Sequence, residues 1–409
     1  MVSEVERLRE IIRLDTELST VQDLDILLER ILSEARKLLS ADAGTIYIRD
    51  RDDLVFSYAQ NETLSKKLPP GQKLIYSTFR VAIDKRSISG YVAKTGESLN
   101  IPDVYKIPGR APYKFNANYD RVTNYKTKST LTVPLATNRG EILGVLQIIN
   151  KKDDKENVTT FDCNDEIVCK HFATTASQAL QRAQLTRALI LRMIQMSELR
   201  DPNETGPHVN RVASYSIEIY EAWAKRRSMP PDEINKKRDL LRMAAMLHDV
   251  GKVAISDVIL KKPGTLSSQE RARMQAHTYL GARLFMHKQS EMDDVASLVA
   301  LTHHENWDGT GYPGYIDVMT GKPIKTDGSG RPKPLRGEEI PIYGRVVALA
   351  DVYDALRSNR VYKKAWSEED ILHEIQSLSG RKFDPELVDV FFGCLDVIRS
   401  ISARYPDKE

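Results

Sequence analysis

Apolar positions fall in two different rhythms along this 409-residue chain. Residues 22–40 (QDLDILLERILSEARKLLS) place leucine and isoleucine three and four apart, which predicts an amphipathic helix. The runs GTIYIRD, LVFSYAQ, STLTVPLAT and EILGVLQIIN then read as strands, and TNRGEI, with Gly140, reads as the hairpin turn between the last two. Between them, SISGYVAKTGESLNIPDV predicts a short helix flanked by glycines, followed by a polar, tyrosine-rich stretch from Tyr105 to Tyr125. Helix, antiparallel strands and helix make an α+β sandwich of domain size over residues 19–165, behind a lead-in helix at 1–18.

Residues 166–200 contain no Gly or Pro and predict one long connecting helix. Phe172, Ala176, Ala179, Ala183, Thr186, Ile190 and Met193 alternate steps of four and three, the coiled-coil period. Such a stripe either packs on its own domain or forms a parallel dimer seam. A solitary helix would expose it, so a homodimer is the expectation. Beyond Pro202 strand alternation disappears. HVNRVASYSIEIYEAWAKRR, KKRDLLRMAAMLHDV, SSQERARMQAHTYLGARLFM, DDVASLVALTHH, IPIYGRVVALADVYDAL and EEDILHEIQSL predict an all-α domain over 201–400. The expected fold class is therefore multidomain: α+β, long helix, all-α.

Composition narrows the partners. With 60 basic and 57 acidic residues the formal charge is +3, which calls for neither nucleic acid nor membrane. The three cysteines have neither metal-ligand nor disulfide spacing, so a reducing compartment is expected and any metal must be held by nitrogen and oxygen. No apolar run approaches the roughly 20 residues a membrane helix needs. The amphipathic, mixed-charge start MVSEVERLREIIRLD is neither signal peptide nor anchor, so the expected location is cytoplasmic.

Histidine carries the strongest chemical signal. Of eight in the chain, His208, His248, His277, His303 and His304 lie in the second domain beside carboxylates or each other. His248-Asp249 closes the apolar helix LLRMAAML and precedes Gly251, a residue suited to a helix end. Taken alone, that pair is equally a capping acid beside a packed histidine. The doublet His303-His304 closes another apolar helix, and two adjacent buried imidazoles are costly without partners. A divalent ion supplies one for both and holds them neutral. Asp351 lies within VVALADVYDAL, where a buried acid needs a cation. Glu204 precedes His208, which starts a helix behind Gly206-Pro207; alone it reads as an exposed helix-start acid. Eight candidate ligands exceed one coordination sphere, so two or three divalent ions are expected, with a carboxylate such as Asp249 bridging. Nitrogen with carboxylate and no thiol suits Fe, Mn or Zn over Ca or Mg. Paired ions activate water and neutralise a phosphodiester oxygen during in-line attack.

These residues resemble a known family. His248-Asp249 is similar to the HD signature of metal phosphohydrolases. The run from His303 to Pro313 (HHENWDGTGYP) resembles the HHE-x-x-DG-x-GYP signature of HD-GYP domains, and GEEIPIYGRVVALADVYDALRSNRVYKKA and Phe383-Asp384-Pro385 extend the likeness over roughly residues 196–395. The resemblance implies hydrolysis of cyclic di-GMP to pGpG and then GMP. It implies metal ligands at Glu204, His208, His248, Asp249, His277, His303, His304 and Asp351, with iron the first candidate and manganese the second. Glu204 matches the position tied to a third ion in some members. Lys252 matches a lysine near the scissile phosphate, where it holds a phosphate oxygen or protonates the leaving 3′-oxygen. A solvated surface lysine is the plainer alternative. Tyr312, Arg360 and Lys363 match positions that contact the dinucleotide; Tyr312 equally serves as loop packing. Hydrolysis of another cyclic dinucleotide, such as cyclic GMP-AMP, and a non-catalytic receptor role are the rival readings.

One departure stands out. About twenty residues, 316–334, separate GYP from GEEIP, rich in Gly, Pro and Lys. A mobile flap at the site mouth is expected, tuning access or decorating the surface. Residues 19–185 resemble a GAF domain more loosely, through Asn150-Lys151, Phe161 and Asp165-Glu166, which look like the N-K, F, D-E motif of cyclic-nucleotide-binding members. Lys151 and Asp165 are expected to pair and brace a pocket wall. The ligand is a cyclic nucleotide or another small molecule, or else the motif merely stabilises the fold.

Overall fold

A computed structural model describes residues 13–14, 16–69, 79–199, 206–357 and 366–406. The chain separates into two compact units, residues 1–187 and 188–409.

In the first unit, helix α1 (Leu24–Leu38) starts at Asp23, whose side chain accepts the amides of Asp25 and Ile26. Strands β1 (Ala41–Asp50), β2 (Asp53–Asn61), β3 (Arg80–Ala82), β4 (Leu99–Ile101), β5 (Thr130–Ala136), β6 (Ile142–Lys152) and β7 (Val158–Thr159) make one antiparallel sheet in the order β3-β2-β1-β6-β5-β4, with β7 on β6. The four strands expected from alternation are its long members. The three short ones lack enough residues to show a period. Helices α2 (Glu62–Ser65), α3 (Ile88–Thr95) and α4 (Asn118–Thr123) fill the connections.

Alternation gives the sheet two faces. Ile46, Leu131, Val133, Leu135, Leu146 and Ile148 point to one side and share a core with Leu27, Ile31 and Leu32 of α1. The long helix α5 (Cys163–Glu198) supplies Phe172, Ala176, Ala179 and Ala183 to that same core. This corrects the dimer-seam reading of those four positions: they are internal. Ile190 and Ile194 likewise join the core of the second unit. The four-three period arises wherever a helix buries one stripe, whatever covers it. Leu185, Leu189, Met193 and Met196 are instead exposed.

The second unit is helical: α6 (Gly206–Arg226), α7 (Pro231–Met246), α8 (Asp257–Leu260), α9 (Ser268–Gln275), α10 (His277–Arg283), α11 (Glu291–Thr302), α12 (Ile342–Arg357), α13 (Glu368–Ser377), α14 (Pro385–Gly393) and α15 (Leu395–Arg404). Its core joins Val212 and Ile219 of α6, Leu241 and Ala245 of α7, Val299 of α11 and Val346, Leu349 and Ala350 of α12. Among the described residues no helix is long and apolar enough to cross a membrane.

Residues 316–334 form a loop, as expected, folded by local bridges and turns. Ile316 bridges Pro323 and Thr326 bridges Pro332, while Asp317 and Asp327 close two tight turns through their carboxylates. Val318 accepts a hydrogen bond from Arg283 of α10 at 3.1 Å, which ties the insertion to that helix.

Candidate metal centre

Helix ends deliver the site. His208 lies in the first turn of α6, His248 and Asp249 follow α7, His277 opens α10, His303 caps α11 with His304 next to it, and Asp351 sits mid-way along α12. Two glycines permit the close approaches. A Cβ on Gly251 would lie 1.9 Å from the carbonyl oxygen of His277, and one on Gly344 would lie 2.1 Å from Oγ1 of Thr302. The first lets the turn after Asp249 touch α10; the second lets α12 lie against α11.

These side chains form two adjoining groups. Asp249, His277, His303 and His304 each offer a ligand atom within 4.8 Å of the others, and His208, His248 and Asp351 do the same. Oδ1 of Asp249 is 3.1 Å from Nε2 of His277 and 3.5 Å from Nε2 of His303. Its Oδ2 is 3.4 Å from Nε2 of His248, which links the groups. Asp351 Oδ1 lies 3.7 Å from His208 Nε2 and 3.9 Å from His248 Nε2. Lys252 Nζ is 2.7 Å from Asp249 Oδ2. Tyr312 stacks on the His304 ring with centroids 4.8 Å apart.

The donor atoms fit metal ions. Nδ1 of His248, His277 and His303 donates to the carbonyls of Ala245, Met274 and Val299 at 2.8, 2.8 and 3.0 Å. A carbonyl only accepts, so each neutral ring carries its lone pair on Nε2, turned toward the site. Nε2 of His277 and His303 and Oδ1 of Asp249 are buried without a hydrogen-bond partner among the described residues. Burial holds the His303 ring below the usual imidazole range against the opposing pull of Asp249, and burial together with His303 pushes His304 well below it. Burial alone would raise the Asp249 carboxyl, but Lys252 and the neighbouring imidazoles hold it well below the usual range. Neutral imidazoles around an ionised carboxylate are what a divalent ion requires.

Glu204, Arg360 and Lys363 lie outside the described residues. Two further residues had no role assigned from the sequence. Asp354, fully buried one turn after Asp351, accepts Nδ1 of His208 at 2.8 Å and both Nε and Nη2 of Arg211 at 2.6 and 2.8 Å. Burial opposes its ionisation, but His208 and Arg211 hold the carboxyl below the usual range. It fixes the His208 ring with Nε2 toward Asp351. Its i,i+3 spacing from Asp351 on an apolar helix was the signal available. Glu305 is the second. Its Oε1 accepts the amide of Gly314 at 2.5 Å, bracing the loop that carries Tyr312, and burial raises its carboxyl to about 7.

Comparison with known proteins agrees with both units. Residues 23–180 match the GAF domain and residues 205–356 match the HD domain. The chain is 37% identical over 224 residues to the 3′3′-cGAMP-specific phosphodiesterase 2 of Vibrio cholerae serotype O1, covering 55% of this chain and 38% of that protein. It is 37% identical over 223 residues to a cyclic di-GMP phosphodiesterase of the same organism, covering 53% and 41%. It is 36% identical over 214 residues to the cyclic di-GMP phosphodiesterase of Thermotoga maritima, covering 52% and 50%. The chain thus spans half or less of the length of each of these relatives.

Proposed function

We propose that this chain, which joins a GAF domain to an HD domain, is a metal-dependent phosphodiesterase of the HD-GYP type that hydrolyses cyclic di-GMP to pGpG and then GMP. The observation that carries the reading is the pair of adjoining ligand groups, Asp249/His277/His303/His304 and His208/His248/Asp351. The ions are two or three in number, iron before manganese, and Glu204 is the candidate third-ion ligand. Bound there, such ions supply the positive charge that activates water and offsets charge on the phosphodiester.

The chain's own residues do the rest. Asp249 faces both groups through its two oxygens and is the bridging candidate. Lys252, held against Asp249 at 2.7 Å, neutralises a phosphate oxygen or gives its proton to the leaving 3′-oxygen. Tyr312 offers a ring face for guanine, and Arg360 and Lys363 supply cationic contacts to the dinucleotide. The GAF domain regulates through a small ligand. The exposed face of α5 at Leu185, Leu189, Met193 and Met196 supports a homodimer. The expected location is cytoplasmic.

The 3′3′-cGAMP-specific relative supports a second reading, in which cyclic GMP-AMP is preferred. Elemental analysis of anaerobically purified protein, with turnover measured on both dinucleotides, tests the proposal. Faster cyclic di-GMP hydrolysis supports the first reading and faster cyclic GMP-AMP hydrolysis the second. Metal-free protein that still hydrolyses either one removes both.

A further inference from the structure

The sheet of the first unit has a second face, and it is not built like the first. On this side β1, β5 and β6 bring together Thr45, Thr130 and Gln147, through the cross-strand pairs Thr45–Gln147 and Thr130–Ile149. They line a cavity of about 410 Å3. Its aromatic wall includes Tyr47, Phe56 and Phe79, with the two phenylalanine rings stacked at 4.6 Å and Tyr47 edge-on to both. A cavity that only served packing would carry aliphatic side chains here, as the opposite face does, because buried hydroxyls are costly without partners. Thr130 is only 1% exposed, and its Oγ1 has no hydrogen-bond partner among the described residues.

The charges argue for an uncharged occupant. Among the described lining residues only Arg80, Lys114 and Asp120 are charged. Asp120 is already satisfied by the Tyr105 hydroxyl and by the amide and hydroxyl of Thr127, at 2.8, 2.7 and 2.8 Å. Arg80 is drawn outward to Asp50 at 2.6 Å. Lys114 is exposed. The Asn150, Lys151 and Asp165 motif points elsewhere: Asn150 binds Tyr125 and the backbone of Lys126 and Lys128, and Lys151 pairs with Asp165. None of the three lines the cavity. Among the described lining residues a phosphate therefore finds no buried cation, whereas a flat ring with amide-like edges finds aromatic faces, a buried hydroxyl and an amide.

We infer that this cavity binds an uncharged heteroaromatic ring of nucleobase size, with Thr130 hydrogen-bonding its edge, and does not select cyclic nucleotides. Calorimetry on the full chain tests it, with hypoxanthine and adenine as probes against cyclic AMP and cyclic GMP. A free base is expected to bind more tightly than either cyclic nucleotide. Thr130→Val is expected to weaken base binding about five- to tenfold, the loss of one hydrogen bond. Thr130→Ser, which keeps the hydroxyl, and Lys114→Ala are each expected to stay within about twofold of the parent, since neither loses a hydrogen bond to the ring. Thermal midpoints of the unliganded variants establish that they fold. Tighter binding of a cyclic nucleotide, loss of binding in Lys114→Ala, unchanged binding in Thr130→Val, or no binding of either base overturns the inference. Heat of binding is read without turnover, so this result and the hydrolytic reading stand or fall separately.

Discussion

The Asp42 network of the first unit and the histidine cluster of the second bury polar side chains in opposite ways. In the GAF unit Asp42 is enclosed and fully satisfied: Lys152, Tyr125 and Thr63 reach it at 2.7, 2.8 and 2.9 Å, and Asn150 hydrogen-bonds Tyr125 in turn. In the helical unit His248, His277 and His303 each spend Nδ1 on a backbone carbonyl and turn Nε2 inward. A closed network spends its hydrogen bonds on holding a fold. An open one stores unmet demand, and the demand has a chemical type: lone pairs and carboxylates ask for cations. The difference separates structural polarity from a site without reference to any relative.

The sharpest way to break the contrast is Asp249→Ala. If the inward-facing atoms are metal ligands, turnover is expected to fall by about 10³-fold or more, with loss of bound metal, because the carboxylate that lies between the two groups is gone. Full metal content and activity in this variant would place the reaction elsewhere. Lys252→Ala separates charge delivery from metal holding. Turnover is expected to fall about 10²-fold while elemental analysis shows unchanged metal.

Asp354→Asn probes the orientation of His208, and it also weakens the buried pair with Arg211. Losing the carboxylate that fixes His208 is expected to lower affinity for one ion by about 10- to 100-fold, leaving the Asp249 group loaded. Metal titration with stoichiometry checks this; equal weakening of every ion would indicate general misfolding. The smallest effect is expected in the closed network. Burial pushes the Asp42 carboxyl up, but its hydrogen bonds to Lys152, Tyr125 and Thr63 outweigh that and leave it below its ordinary value of 3.8. A carboxyl with a lowered native pKa stabilises the fold fully above its unfolded pKa, and that contribution is lost as pH falls through the native one. Asp42→Asn is expected to cost about 1 kcal/mol at neutral pH and to flatten the stability loss below the ordinary aspartate range. Chemical denaturation at several pH values measures both; an unchanged acid limb would mean that other carboxylates govern it.

Much of this was legible along the chain. Period-two runs marked the long strands and three-four spacing marked the helices, because side-chain burial repeats with the backbone. Histidines placed where apolar helices end marked the candidate ligands, since an imidazole there is costly without a task. Other features were decided only in three dimensions. The stripe Phe172–Ala183 has the same period whether a partner or its own sheet covers it, and only packing put it in the first unit's core. Asp354 looks like Asp351 in sequence, yet one carboxylate faces the ligand group and the other grips His208 and Arg211. Residues 316–334 read as a loop by composition, and the backbone bridges and the hydrogen bond from Arg283 that shape it are visible only in three dimensions. Periodicity records which side of an element is buried. What lies against that side is fixed by contacts between residues far apart in the chain, which no local pattern encodes.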